Sequence, residues 1–263
     1  QLYMCTIFVT KLNKKKIIVG RNFDWLQLGG KIHFNPASTI YGTRTLGFCM
    51  IEQEGDQLPY EGLNEKGLFV GMTAIHKKLK KNNANFKATI NDLGLIRFIL
   101  ERASNVDQAL KIAKQFKIDY RQKEHFPPVH YLFADAQGNV SIYEEDTYEF
   151  CKKFHNKEWK VITNFSLTKK TRCKRYKIVA NKLSNNYVSG MDSAMKLLYL
   201  VKQELKNEFK TVYSVVFDLI SKNINLSIEQ NYHTIYQFNL QKELRKGKHF
   251  LDFGKLKLQH KKI

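Results

Sequence analysis

Alternating apolar and polar positions open the chain and predict a β-hairpin. Residues 5–10 alternate, the polar stretch 13–15 supplies a turn, and residues 16–20 return as an apolar strand that runs into Arg-Asn-Phe-Asp-Trp. A hairpin places the start of its first strand beside the end of its second. We therefore expect Cys5 to approach Arg21 and Asp24.

The rest of the chain mixes both periodicities. Strands are predicted at 46–53 and 68–74, the latter after a turn-like stretch at 62–67. From residue 89 the period becomes helical, with one apolar face formed by Leu93, Ile96, Ile99 and Leu100. A second helix is expected to begin at Ser104 as N-cap, with Asp107 three residues on as in a capping box.

Further elements repeat this order. Strands are expected at 129–135, 140–145 and 159–164, helices at 174–183 and 191–205, and strands at 211–219 and 226–240. No internal repeat or Pro/Gly-rich linker separates these blocks. The order predicts an α+β protein of one domain, with sheet layers faced by pairs of helices.

Composition adds a strong positive charge to this picture. The 263 residues carry 44 Lys and Arg against 24 Asp and Glu, a formal net charge of +20, but 43% are hydrophobic, which excludes a disordered polyelectrolyte. No apolar run is long enough to span a membrane. Most basic residues are Lys, and no known nucleic-acid motif is present, so we expect no nucleic-acid partner. The Lys-rich runs 77–81, 169–177 and 242–263 leave open a weak contact with an anionic surface.

The four cysteines give no sign of a metal site. No pair has CxxC spacing, and no His/Cys cluster has the spacing of zinc ligands, so neither a metal nor a cofactor is expected. Three of them, Cys49, Cys151 and Cys173, are interpreted as small buried hydrophobic residues.

Three local patterns could carry chemistry, and each also has a purely structural reading. Arg21 beside Cys5 would favour the thiolate, although the two could equally form a buried cysteine beside a structural Arg–Asp pair. Asn164 closes a strand, where its amide could donate to an oxyanion or simply start a turn. Arg175 opens a helix, where an Arg usually faces solvent.

Taken together, these stretches resemble a known family. They are CT at 5–6, GRNFDW at 20–25, GLNEKGLFVGM at 62–72, HYLFADAQGNVSIYE at 130–144, VITN at 161–164, RY at 175–176 and TVYSVVFDL at 211–219. In this order they resemble the choloylglycine hydrolase and linear amide C–N hydrolase group of N-terminal-nucleophile (Ntn) hydrolases. The resemblance implies a four-layer αββα sandwich over residues 5–263.

The resemblance also implies roles for five residues. Cys5, once it is the first residue, would attack the carbonyl of a small N-acyl amide, with its freed α-amine moving the proton. Arg21 would polarise the thiol and Asp24 would orient the α-amine. Asn164 would stabilise the oxyanion and Arg175 would brace the site.

Two departures from the bile salt hydrolases limit what can be carried over. Thr73 stands in the oxyanion and substrate pocket where those enzymes have an Asn, so a side-chain donor is expected to be missing and only the backbone N–H to remain. Asn164 and Arg175 are 11 residues apart, without the long insertion that builds the oligomer in those enzymes. An oligomer is left open, but not by that route, and bile-salt specificity is not inherited.

Four residues, Gln1–Met4, precede the expected nucleophile and would block its amine. They are interpreted as a propeptide, the remnant of an upstream leader, or residues left from cloning, and the chain that retains them as an inactive precursor. If Met4 is the initiator, the cytoplasm is favoured; an upstream leader would indicate export or a lysosome-like compartment.

The sequence therefore predicts an N-terminal-cysteine amidohydrolase that works through a thioester. One alternative is an acyltransferase that passes the acyl group to an amine. A second is a non-catalytic basic protein that binds anionic membrane or nucleic acid. A papain-like Cys–His pair is disfavoured, because nothing places His76, His125, His130 or His233 beside Cys5.

Overall fold

The computed structural model describes residues 5–40, 42–53, 58–75, 88–120, 127–144, 147–151, 158–168, 172–204 and 206–260. The strands are β1 (Thr6–Asn13), β2 (Lys16–Trp25), β3 (Lys31–Asn35), β4 (Thr39–Ile40), β5 (Thr43–Arg44), β6 (Phe48–Glu52), β7 (Glu61–Asn64), β8 (Phe69–Ala74), β9 (Ala88–Asn91), β10 (Phe116–Asp119), β11 (Val129–Ala134), β12 (Val140–Glu144), β13 (Thr147–Cys151), β14 (Trp159–Ile162), β15 (Lys210–Asp218), β16 (Asn223–Ile228), β17 (Tyr236–Asn239) and β18 (His249–Asp252). The helices are α1 (Asp92–Arg102), α2 (Val106–Ala113), α3 (Lys174–Ser184), α4 (Met191–Leu200), α5 (Leu240–Leu244) and α6 (Phe253–His260).

The expected N-terminal hairpin lies at the centre of a six-stranded antiparallel sheet with the order β14-β1-β2-β15-β16-β17. Its register pairs Ile7 with Arg21, and β2 then pairs with β15 along its whole length. The start of β1 and the end of β2 therefore meet at one end of this sheet. That is where Cys5 lies.

A second antiparallel sheet has eight strands in the order β13-β12-β11-β8-β7-β6-β3-β18. Its central strands β6, β7, β8, β11 and β12 are buried along almost their full length, as expected for a sheet that is covered on both faces.

The two sheets pack face to face, and helices cover both outer faces. One hydrophobic core joins the inner faces and continues under α1 and α2, which lie on the eight-stranded sheet. A separate cluster lies between α3, α4 and the outer face of the six-stranded sheet, with Phe8, Ile18 and Val216 at its base. The strand alternation explains the division, because neighbouring residues such as Ile7 and Phe8 point to opposite faces. The predicted four-layer αββα sandwich is thus confirmed.

Several predicted boundaries were wrong for identifiable reasons. The second helix is capped by Asn105 rather than Ser104, because the Asn105 side chain accepts from the Gln108 N–H at 3.0 Å. Gln108 in turn accepts from the Ser104 N–H, so the reciprocal capping pattern is displaced by one residue.

Other elements were predicted at the wrong length. Helix α1 begins at Asp92, after the short strand β9, and α4 ends at Leu200 instead of 205. The stretch 226–240 is not one strand, since Glu229 and Gln230 adopt positive φ and turn the chain between β16 and β17. The turn-like stretch 62–67 contributes most of β7 before it turns. Within the described residues, no helix is long and apolar enough to cross a membrane.

Candidate active site

Cys5 lies just before β1 and is 6% exposed. Its Sγ is 3.9 Å from Nη2 of Arg21, which donates to it, and the thiol donates to the Asp24 carbonyl oxygen at 3.9 Å. The hairpin register therefore brings together the three residues that the sequence placed there.

Arg21 is completely buried and is held by several partners. Nη1 donates to the Met72 carbonyl at 2.6 Å, and Nε forms an ion pair with Glu61 Oε2 at 2.7 Å. Glu61 also accepts a hydrogen bond from the Tyr213 hydroxyl, and the guanidinium lies 5.1 Å from the centre of the Phe23 ring. The forked donor geometry of Arg serves all these contacts at once, which a Lys could not do.

The thiol of Cys5 is held in its neutral form. Burial raises the pKa of this thiol to about 11, even though the positive charges of Arg21 and Arg175 act in the opposite direction. The expectation that Arg21 favours the thiolate holds for its own contribution, but desolvation outweighs it. Attack by Cys5 therefore needs a nearby base to take the proton.

Asp24 is buried beside the nucleophile. Its Oδ1 accepts from the Thr211 hydroxyl at 2.6 Å, while Oδ2 lies 3.6 Å from Nη1 of Arg175. Burial raises the pKa of the carboxyl to about 7, and Arg175, Thr211 and Arg21 oppose that rise. Oδ2 has no hydrogen-bond donor among the described residues. This atom is therefore open to a further donor, such as an ammonium group.

Arg175, in the first turn of α3, joins the nucleophile to Asn164. Its Nη1 donates to the Cys5 carbonyl at 2.8 Å and to Thr6 Oγ1 at 2.9 Å, and its Nη2 donates to Asn164 Oδ1 at 2.9 Å. Asn164 in turn donates through Nδ2 to the Ala74 carbonyl at 2.8 Å. All five residues of the candidate site therefore lie in one network.

Thr73 contributes no free hydroxyl to this network. Its Oγ1 donates to the Thr163 carbonyl at 2.7 Å and lies 2.6 Å from His130 Nε2. The Thr73 hydroxyl is thus already engaged as a donor.

A small cavity adjoins the thiol. Its polar wall is formed by Cys5, Arg21 and Asp24, and its other wall is largely apolar, formed by Phe23, Trp25, Tyr60, Met72, Thr73, Ala74, Asp92, Pro127 and Val129. The space inside is about 30 Å³, room for about two water molecules. Side chains of this wall must move to admit an acyl group.

Sequence reasoning missed several neighbours of the site. Glu61, Tyr213 and Thr211 hold Arg21 and Asp24 but come from strands far along the chain. Glu61 directly precedes the stretch 62–72, and Thr211 begins the stretch 211–219. Only the pairing of the strands in the structure shows what these two residues contact.

Some predictions concern residues that lie outside the described part of the chain or are only partly buried. Gln1–Met4, the run 77–81, residues 169–171 and the end of the tail lie outside the described residues, as do the side chain of Cys151 and the His76 and His125 positions. Cys49 is buried, as predicted, but Cys173, which precedes α3 at its N-cap position, is only partly buried. His130 is near Thr73 rather than Cys5.

Comparison with protein-family models matches residues 5–195 to the linear amide C–N hydrolases of the choloylglycine hydrolase family. Comparison with curated protein sequences gave no match.

Solved structures show the same fold. A variant of the conjugated bile acid hydrolase from Clostridium perfringens superposes with a TM-score of 0.70 at 14% identity, covering 95% of this chain and 96% of that one. Penicillin V acylase from Agrobacterium tumefaciens gives 0.63 at 13% identity, covering 94% and 90%. The Caenorhabditis elegans ortholog of N-acylethanolamine-hydrolyzing acid amidase gives 0.56 at 17% identity, covering 94% and 100%. These likenesses support the assignment to the Ntn-hydrolase sandwich.

Proposed function

Because the chain belongs to the choloylglycine hydrolase family of linear amide C–N hydrolases, we propose that it cleaves a small N-acyl amide through Cys5, once Cys5 is the first residue. The enzyme class follows from the family. The nucleophile, the thioester and the substrate are the proposal. The observation that carries it is the convergence of Arg21, Asp24 and Arg175 on a single buried cysteine.

The first half of the reaction forms the thioester. The α-amine of Cys5 takes the thiol proton, and Sγ attacks the amide carbonyl carbon. The amine then returns the proton to the leaving nitrogen as the C–N bond breaks. An α-amine has an ordinary pKa near 8, so near neutral pH it can both accept a proton and return it. The buried thiol, whose pKa is about 11, needs such a base to take its proton.

The second half is hydrolysis of the thioester. Water gives a proton to the same amine and adds to the carbonyl carbon, after which the C–S bond breaks and Sγ recovers the proton. In both halves the negative charge that develops on the carbonyl oxygen is stabilised by Asn164 Nδ2 and the Thr73 N–H. Donors of this type contribute about 10²–10³ in kcat where they have been removed from other enzymes.

The remaining charged residues prepare Cys5 for this chemistry. Arg21 lies against the thiol and stabilises the developing thiolate, while the open oxygen of Asp24 accepts from the α-ammonium. Arg175 holds the Cys5 carbonyl and the Asn164 side chain in a fixed relation, which keeps nucleophile and oxyanion donor together.

The walls of the cavity favour an apolar acyl group. Phe23, Trp25 and Tyr60 pack against one another in this wall, with ring centres 4.7–6.2 Å apart. No charged side chain other than those of the proposed machinery and Asp92 lines the described part of this cavity. We therefore place an apolar acyl group, rather than the leaving amine, against these rings.

The test is turnover of N-acyl amides by protein that begins at Cys5. Bile acid conjugates, penicillin V, acyl homoserine lactones and N-acylethanolamines make up the panel, with release of the amine and the acid measured separately. Cys5→Ser should abolish turnover, whereas Cys49→Ala, the matched loss of a buried thiol in β6, should not. No turnover of any member by protein with a confirmed N-terminal cysteine contradicts the proposal.

The same assay separates the two alternatives. Transfer of the acyl group to an added amine in preference to water would identify an acyltransferase. Full activity of Cys5→Ser, together with binding that weakens steeply with salt, would favour the non-catalytic basic protein.

A further inference from the structure

A buried polar network surrounds the backbone carbonyl of the residue that precedes Asn164. The Thr163 carbonyl accepts from Thr73 Oγ1 at 2.7 Å and contacts His130 Nε2 at 2.8 Å. Thr73 Oγ1 and His130 Nε2 are 2.6 Å apart. The three side chains are at most 1% exposed. Thr73 is on β8 and His130 on β11, both in the eight-stranded sheet, whereas Thr163 follows β14 of the six-stranded sheet.

Glu144 on β12 completes the network. Its Oε1 is 3.4 Å from His130 Nδ1, and the carboxylate accepts from the Leu167 N–H at 2.6 Å and the Ser166 hydroxyl at 2.8 Å. Burial raises the pKa of Glu144, but the nearby His130 ring and the hydrogen bonds from Leu167 and Ser166 outweigh it and lower the pKa to about 2. The group that faces His130 is therefore an ionised carboxylate.

The Thr163 carbonyl is held from two sides. It is only an acceptor, and Thr73 donates its one hydroxyl proton to it. The close contact between His130 Nε2 and the same carbonyl is favourable when Nε2 carries a proton, so Thr73 and His130 together hold this one carbonyl.

The network also connects the two sheets next to the oxyanion donor. The Thr73–Thr163 hydrogen bond is followed one residue later by that from Asn164 Nδ2 to the Ala74 carbonyl. The two bonds tie consecutive residues at the end of β8 to consecutive residues after β14. The peptide that precedes Asn164 is thereby fixed from the eight-stranded sheet, while Arg175 fixes the Asn164 side chain from α3.

We propose that Glu144, His130 and Thr73 form a positioning relay that holds the Thr163 carbonyl and so sets the Asn164 amide at the oxyanion. The proposal rests on the proposed function, because it assigns the relay to the acyl-transfer steps at Cys5. It gives the Thr73 side chain a role that differs from that expected of the Asn in the bile salt hydrolases. The Thr73 hydroxyl donates to the backbone carbonyl beside the oxyanion donor, and not to the oxyanion.

The kinetic test compares isosteric and conservative variants. Thr73→Val removes the hydroxyl at nearly constant volume and should lower kcat about 10- to 100-fold with KM within twofold, because a small misplacement of a catalytic donor costs this much. Thr73→Ser, which keeps the hydroxyl, should restore kcat to within about threefold of the wild type. A kcat for Thr73→Val within twofold of the wild type overturns the proposal.

The control is another His–Glu pair in the same sheet, in which the Glu is buried and the His is partly buried. His33 on β3 contacts Glu52 Oε1 on β6 at 3.0 Å but touches none of the proposed site residues. His33→Gln and His130→Gln each break one such pair. Only His130→Gln should lower kcat, and equal losses in both variants would show a general structural effect and overturn the proposal.

A second readout needs no substrate. The backbone amide NMR signals of Thr163 and Asn164 should shift in Thr73→Val and in His130→Gln, but not in the control His33→Gln. Signals that stay in place in Thr73→Val and His130→Gln overturn the relay, whereas absence of turnover by the wild type overturns the proposed function and leaves this result standing.

Discussion

The Asp24 carboxyl is predicted to destabilise the chain that retains residues 1–4 at neutral and higher pH. Its pKa is raised from 3.8 to about 7, mainly by burial. Between these two values the folded protein holds a proton that the unfolded chain has lost, so stability falls as pH rises through this window. Three pH units at about 1.4 kcal/mol each give a loss of about 4 kcal/mol, complete above pH 7.

Asp24→Asn removes this titration and keeps an oxygen that can accept from Thr211. Urea unfolding followed by circular dichroism at pH 4, 5, 6, 7 and 8 gives the free energy of unfolding for both proteins. Between pH 4 and pH 8, the free energy of unfolding of the variant should rise by about 4 kcal/mol relative to that of the wild type. Using the change with pH, rather than the difference at one pH, cancels any constant cost of the amide beside Arg175. A difference in the free energy of unfolding that does not change with pH, or that changes in the opposite direction, would refute the conclusion. Asp24 would then not be a buried carboxyl with an incomplete set of hydrogen-bond donors.

Three further predictions concern the groups around the nucleophile. In the precursor chain with Cys173→Ser, alkylation of Cys5 by iodoacetamide should accelerate about tenfold per pH unit from pH 7 to 9, because its pKa is about 11; a plateau below pH 8.5 would contradict this. Arg21→Met should destabilise the fold by roughly 3–5 kcal/mol, and the double variant with Glu61→Gln by less, because the single change leaves a carboxylate buried without its cation; equal losses in urea unfolding would argue against the ion pair. Arg175→Lys should lower kcat about 10- to 100-fold in the amidase assay, since a single ammonium nitrogen cannot take the place of the two guanidinium nitrogens that donate to Cys5, Thr6 and Asn164; unchanged kcat would remove Arg175 from the proposed machinery.

The elements that strict periodicity defines could be predicted from the sequence. The strands β2, β8, β11 and β15 and helix α3 lie within one or two residues of their expected positions, and β1 begins within one residue but continues three residues further than expected. The proximity of Cys5, Arg21 and Asp24 followed from one local rule, that a hairpin joins the start of one strand to the end of the next.

The rest depends on pairing between distant segments, which periodicity does not encode. Glu61 reaches Arg21 because β7 and β2 face each other across the sandwich, and the 152-residue separation of Glu61 and Tyr213 leaves no local trace. The sequence offers His130 as a candidate partner for Cys5, whereas the structure places it against Thr163. The sign of the Cys5 pKa shift also required the structure, because it depends on how completely the thiol is buried.

The most direct test of the account is turnover per molecule by two forms of the same chain, one beginning at Gln1 and one at Cys5, on whichever amide of the panel is cleaved. Intact mass spectrometry under the same conditions detects the acyl adduct, and peptide mapping locates it. The account predicts turnover and an acyl adduct on Cys5 only in the form that begins at Cys5, because only there is the α-amine available as base. Equal turnover by both forms, or an adduct on another residue, would contradict it.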